Sequence, residues 1–473
     1  MQISAILIIL GLALLLASPH TALGELPSVV PADEIMVKIR LGLPVEYDKV
    51  AINGNLTSER LGLTAKQILR IPFEVKMPAS DEPMQANSSI VIKNSIVYGR
   101  VDFGNTLFHK PVVFENTFFM ENASFENSIF EEDTGFVHSM FLKNASFADS
   151  SFNAKANFSQ TYFKGSASFY GTQFGGIADF SLARFYTDAQ LASSQFNSNV
   201  AFAKTDFRGK NNFKEAIFGQ EAQFNKTKFG KESTFERTIF AGSVQFSGPV
   251  FNSTADFISS QFTKDARFNE AQFMGPALFA GARFSDLAEF KDCHFPAGVD
   301  FTGSDFGIDA TFCNTSFGQR ADFTASDFLG FADFCGSNFA CDADFSNCSF
   351  RGPADFSRSA FSEKMNLYDA QFRRNVHFES SKINKINLTQ ARYEWLFLKW
   401  DSINHLEFDD NAYQMLINNY KKLQWYGDSS DCNSTYMGTA AQEAPNQSHL
   451  WIIDGIRSIV LGGNSSHLPD LIF

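Results

Sequence analysis

Between residues 103 and 378 the apolar positions of the chain fall on an alternation of five and six. Starting at Phe103 and keeping that alternation passes through 51 positions; Phe fills 49 of them, with Leu191 and Leu367 in the other two. The true period is therefore an undecad, the sum of the two steps, with two large apolar side chains in each. Phe169, Phe174, Phe180, Phe185 and Phe235 are representative, and all are expected in the core. An undecad also suits a coiled coil. Here, however, Gly, Asn, Ser, Thr and Asp crowd every repeat, and these residues disfavour a helix interior. Turn formers recurring at every step predict very short extended segments joined by tight turns.

A second rule sits two residues before each Phe. Before Phe103, Phe114 and their successors the residue is Ala in 16 of 26 cases; before Phe108, Phe119 and theirs it is Ala, Ser or Thr in 22 of 25. Residues two apart on a strand share a face. A small residue and a Phe are thus both expected to point inward, with the residue between them, often polar as at Asp179, Asp322 and Gln223, facing water. Small beside large fills a narrow bore without overpacking.

The stretches "ADFSL" at 178–182, "ADFTA" at 321–325 and "ADFSR" at 354–358 resemble the unit of the pentapeptide-repeat family. The resemblance spans about 90–408. It implies an all-β solenoid, a right-handed quadrilateral parallel β-helix with one repeat per side and short α-helical caps. This chain differs by one extra residue in alternate units, so each pair of sides takes one undecad and a four-sided lap takes two. A three-sided lap would need three undecads to close evenly, which such short faces disfavour. Successive laps are expected ~4.8 Å apart, and an array held together by its neighbours needs covered ends.

The divisions expected are a signal peptide (1–24), an N-terminal cap region (25–90), the repeat β-helix (91–408), a capping helix (409–427) and a linker with a short apolar tail (428–473). Residues 5–17 are almost wholly apolar and Ala22-Leu23-Gly24 offers small residues for cleavage, as in a secretory signal. Left uncleaved, this segment would tie the protein to a membrane; no other transmembrane segment is expected. Pro31, early acids and Gly42 outline a short helix over 31–42. After Phe378 the step becomes an even five through Ile383, Leu388, Tyr393, Leu398, Ile403 and Phe408, which predicts one last, shorter lap built from four equal sides. Asp409 or Asp410 is then expected to cap a helix whose stripe is Tyr413, Leu416, Ile417, Tyr420 and Leu423, ended by Gly427.

Only after this does composition alter the picture. A net charge of −13 disfavours nucleic acid as a partner. Thirteen N-x-Ser/Thr sequons occur, at Asn55, Asn87, Asn122, Asn144, Asn157, Asn225, Asn252, Asn314, Asn347, Asn387, Asn433, Asn446 and Asn464. The repeat itself favours Asn, Ser and Thr, so the glycosylation candidates are the three outside it: Asn433, Asn446 and Asn464. Of the six cysteines, Cys313 and Cys335 are 22 apart, which stacks them on adjacent laps and makes them the disulfide candidate in an exported protein. Cys293 and Cys348 take inward small positions, and Cys341 and Cys432 have no evident partner. Asp300, Asp322 and Asp344 stack on one face and Asp333 and Asp355 on another. Ca²⁺ between them is one reading; the simpler one is that each accepts a hydrogen bond from a turn amide.

The eight His are scattered, and no phosphate loop or nucleophile elbow occurs. No catalytic, cofactor or metal residue is assigned. The expected function is that of an exported, non-catalytic, rigid structural or interaction scaffold at the cell surface or outside the cell. Its partner would be an unknown protein or an envelope polymer. The alternative is a polysaccharide-binding or carbohydrate-active β-helix. The family resemblance also implies a third option, a DNA-mimicking topoisomerase inhibitor, which the export signal opposes.

Overall fold

The computed structural model describes residues 27–62 and 82–443. The expected signal peptide, Asn446, Asn464 and the apolar tail lie outside the described residues. Two compact units divide between Glu232 and Ser233 and are taken in turn.

In the first unit β1 (Ser28–Pro31) leads into α1 (Ala32–Arg40). Pro31 stands at its N-cap and Gly42 follows it at φ +70°. Ile35, Met36 and Ile39 form its buried face. Next come β2 (Val45–Asp48), β3 (Val50–Asn53) and β4 (Leu56–Thr57). These three strands pair in parallel with Ile90–Lys93, Ile96–Val97 and Val101–Asp102. The N-terminal cap region, 25–90, whose stretch 50–56 alternates as a strand should, thus pairs directly with the laps that follow. Its core is Val45, Ile52 and Leu56 instead of Phe, so the Phe rule could not reveal this pairing.

From there the laps settle into four two-residue strands each. One lap is Ala123–Ser124, Ile129–Phe130, Thr134–Gly135 and Met140–Phe141, which define the first to fourth faces. The same register step joins each lap to the next on every face, as in Ala123↔Ala145, Phe130↔Phe152, Ala156↔Ala178 and Phe163↔Phe185. This is the four-sided parallel solenoid, with two undecads per lap, that the family resemblance implies. Phe169, Phe174, Phe180 and Phe185 are buried to 1% exposure or less, one per face. Along each face the rings stack: Phe163 on Phe185 at 4.7 Å, Phe174 on Phe196 at 4.8 Å. The ladders of the first and third faces also interdigitate across the bore edge-to-face, Phe158–Phe169 and Phe169–Phe180 both at 5.2 Å. Such pairs add roughly 0.5–1.5 kcal/mol each beyond the area they bury.

The two kinds of step are two kinds of corner. In the shorter step the residue two after the Phe takes a left-handed conformation, as Leu182 does at φ +61°. The next N–H, that of Ala183, donates to the Phe180 carbonyl at 3.0 Å, which is the geometry of a type II turn. Positive φ recurs once per undecad, at Asn127, His138, Asp149, Gln160, Gly171, Leu182, Ser193 and Lys204. The following residue is the small inward one, and where it carries a hydroxyl this can donate to a Phe carbonyl of the preceding lap. Ser128 Oγ reaches Phe103 O at 2.6 Å and Thr172 Oγ1 reaches Phe147 O at 2.7 Å. Ser and Thr alternate with Ala at this position because the pocket is small and carries one acceptor.

The second unit repeats the plan, with Ala255–Asp256, Gln261–Phe262, Ala266–Arg267 and Gln272–Phe273 as one lap. Phe235 is fully buried and stacks on Phe257 at 4.7 Å. Cys293 and Cys348 replace the buried hydroxyl, each Sγ donating to a Phe carbonyl, at 3.0 and 2.9 Å. Burial pushes both thiols far up from the ordinary cysteine range.

The lap then shortens. Phe361 pairs with Ile383, but Met365 pairs with Ile386 after a register shift. From there Val376 pairs with Leu396 and Ile383 with Ile403, a step two residues shorter than in the laps before. The shorter final lap is as predicted, except that Leu406 is buried while Phe408 is exposed and stacks on Tyr436. Helix α2 (Asp410–Lys422) is capped by Asp409, whose Oδ1 accepts from the Ala412 N–H at 2.8 Å. It ends at Lys422, before Gly427, and Gln424 takes the positive φ. A second helix, α3 (Tyr426–Glu443), follows where a linker is expected. Its apolar residues are too few to announce a helix; Cys432 is buried and Tyr436 packs at 5.4 Å on Tyr413 of α2. Asn419 of α2 accepts from the Leu396 N–H at 3.1 Å and donates to the Leu396 carbonyl at 2.8 Å. One amide side chain thus satisfies both backbone groups of Leu396 on the last strand edge, where unpaired groups are a template for another chain.

Candidate functional site

The chemistry-bearing side chains sit where the two-residue period turns them outward, so a site on this fold is a row of lap-spaced positions. Four of the five stacked aspartates make none. Asp300, Asp322, Asp344 and Asp355 each accept, through Oδ1, a hydrogen bond at 2.8–3.0 Å from the backbone N–H two residues on, at Thr302, Thr324, Ser346 and Ser357. Arg320 bridges Asp322 and Asp344 at 2.8 and 3.0 Å. The carboxylates are thus committed to turns and to a guanidinium, in line with the simpler reading.

Cys313 and Cys335 do stack on adjacent laps of the second unit. Their Sγ atoms stand 3.7 Å apart as free thiols, with no bond joining them. Burial, together with the neighbouring thiol, pushes Cys313 up to about 11. Among the sequons, Asn433 is exposed on α3, Asn122 and Asn144 are exposed at corners, and Asn387 is buried with its side-chain amide donating to Asn366.

The sequence reading missed a surface on the fourth face of the first unit. Tyr162, Arg184, Asp206 and Lys228 follow one another in register at the outward strand position. Lys164, Tyr186 and Arg208 follow one another at the same lap spacing, just after the inward Phe. The Lys164 ammonium lies 3.3 Å from the centre of the Tyr186 ring, the Arg208 guanidinium 4.4 Å from it, and Arg184 5.5 Å from the Tyr162 ring. Such contacts hold a cation in place at little cost. Burial pushes the Tyr186 hydroxyl up, but the hydrogen bond and charge of Lys164, with Arg184 and Arg208, outweigh it and leave the hydroxyl below its ordinary range. Asp206 pairs with Arg208 at 2.9 Å. The strip therefore carries four cations against one carboxylate on a chain of net charge −13. Reading the sequence in lap-length columns would have exposed it; reading it along the chain does not.

The family described as pentapeptide repeats (9 copies) matches at residues 92–140, 136–184, 235–283 and 279–326. The chain is a pentapeptide-repeat protein. No curated protein and no solved structure matches it. Among the described residues of this pentapeptide-repeat solenoid, no helix is long and apolar enough to cross a membrane.

Proposed function

We propose that this protein is an exported, non-catalytic scaffold that holds an anionic envelope polymer, such as a carboxylated or sulfated polysaccharide, along the fourth face of its first unit. The observation that carries this reading is the Tyr162–Lys228 strip. Its tyrosine rings hold the cations in place, and one cation per lap matches a polymer with regularly spaced negative groups. Export is supported by the apolar run at 5–17 with small residues before position 25.

Purified full-length protein is expected to bind a polyuronate or a sulfated glycan, but not its neutral counterpart, on a glycan array. Binding should fall with salt, and the double variant Arg184→Glu, Arg208→Glu should lose it with its melting curve unchanged. Equal binding by that variant would refute the site. Intact mass of the protein recovered outside the cell should lack residues 1–24; recovery only from the cytoplasm would refute export.

A further inference from the structure

The two stacked thiols of the second unit do not stand alone. Asp333, in register between Thr311 and Asp355, brings its carboxylate beside them. One ligand atom from each of Cys313, Asp333 and Cys335 lies within 4.8 Å of the others. We propose that Cys313, Cys335 and Asp333 bind one tetrahedral, thiophilic divalent cation of the Zn²⁺ class, with water as the fourth ligand. This assignment is independent of the polymer-binding face and of export.

Geometry supports it first. Two sulfurs on a tetrahedral Zn²⁺, each about 2.3 Å from the metal, stand about 3.8 Å apart, and the Sγ atoms here are 3.7 Å apart. A disulfide would need them at about 2.05 Å. The carboxylate also has an oxygen to spare. Asp333 Oδ1 accepts the Cys335 N–H at 3.0 Å, as the turn requires, while Oδ2 has only a 3.4 Å contact from Thr311 Oγ1. Asp322 and Asp344 each follow an Asp on the preceding lap, whereas Asp333 follows Thr311, which removes one repelling charge.

Charge supports it next. Two thiolates and a carboxylate on a dication leave one net negative charge. The Arg358 guanidinium, with Nη2 2.7 Å from Cys335 Sγ, supplies the balancing positive charge and an N–H to the thiolate. Outer partners of this kind commonly hold metal-bound ligands in place. On binding, two S–H bonds break and two metal–sulfur bonds form; both protons leave to buffer and nothing is oxidised.

The test is titration of reduced, full-length protein with Co²⁺. One equivalent is expected to produce sulfur-to-cobalt charge-transfer absorption in the near ultraviolet, abolished by added Zn²⁺. Cys313→Ser and Cys335→Ser should each weaken binding at least about 100-fold, and Asp333→Asn at least about 10-fold. Ser already occupies the equivalent position at Ser357, so these variants are compatible with the fold. Cys341→Ser, which removes a thiol directed at the Gly318 carbonyl, should bind as the parent does. Three results would overturn the assignment: no charge-transfer band, an unchanged affinity in both cysteine variants, or a protein about 2 mass units light with Cys313 and Cys335 joined in one peptide, which would mean the pair oxidises instead.

Discussion

Truncating a single ring of a ladder tests how this core is built. Phe257 is fully buried in the second unit, stacked between Phe235 at 4.7 Å and Phe279 at 4.8 Å, and met edge-on by Phe246 at 5.7 Å and Phe268 at 5.5 Å. Phe257→Ala removes both stacks, these two edge contacts and a third with Phe251 at 6.0 Å, and leaves a ring-sized void that backbone rungs above and below cannot close. The expected cost is about 3–5 kcal/mol. In a solenoid this cost falls mainly on neighbouring laps, since each lap touches only the next. At about 1.4 kcal/mol per tenfold, a cost of about 4 kcal/mol corresponds to roughly a 1,000-fold faster opening. Hydrogen exchange followed by mass spectrometry should show that acceleration in Ser233–Thr234, Ala255–Asp256 and Ala277–Leu278. Amides around Ala123–Ser124 in the first unit should exchange as before. Phe257→Leu, which reproduces what Leu191 and Leu367 already do in the ladder, should cost far less. An acceleration below about tenfold at the adjacent rungs, or the same acceleration in both units, would refute the stacked ladder as a local source of stability.

Leu182 combines positive φ with an exposed apolar side chain, so Leu182→Asn should raise stability by roughly 0.5–1 kcal/mol, read as a small rise in the urea midpoint. A fall would mean that the side chain packs. Asn419→Ala orphans the Leu396 N–H and carbonyl at the last strand edge and should cost about 2–4 kcal/mol. Limited proteolysis should then cut first around residues 423–425; unchanged resistance would refute the cap. Burial pushes Glu407 up, but hydrogen bonds from Lys385 and Lys364 outweigh it and hold its carboxyl below the ordinary range. Its pairing therefore stabilises the last lap fully above the ordinary carboxyl value and is lost as pH falls through its own lower one. Exchange in Lys382–Asn387, corrected for the intrinsic rate, should accelerate as pH falls below 4.5, and Glu407→Gln should remove that pH dependence.

Much of the architecture was legible because a strict repeat forces equal geometry on each unit. Phe169, Phe174, Phe180 and Phe185 had to occupy equivalent inward sites, and the four sides implied by the pentapeptide-repeat resemblance turned the alternation of five and six into a lap of two undecads. What escaped was whatever depended on neighbours in space. Lys204, Glu215 and Leu182 hold a left-handed corner that their identities do not advertise, because the hydrogen-bonded rungs on either side impose it. At β2–β4 alternation marks strand character over 50–56, but Val, Ile and Leu carry no Phe period to place those strands in a lap. Helix α3 forms on a weakly apolar segment because Tyr436 and Cys432 find a surface already built by α2 and the last lap.

The sequence by itself determined the period, the inward Phe and small residues, the shorter final lap and the capping helix, since each is a local pattern repeated or broken along the chain. Tertiary structure alone decided which distant residues became neighbours. It aligned Lys164, Tyr186 and Arg208 into one strip, and brought Arg358 and Asp333 to two thiols that lie a full lap apart along the chain. The reason is that a solenoid converts separation along the chain into adjacency across laps, and the charges meeting there depend on outward positions that the repeat leaves unconstrained.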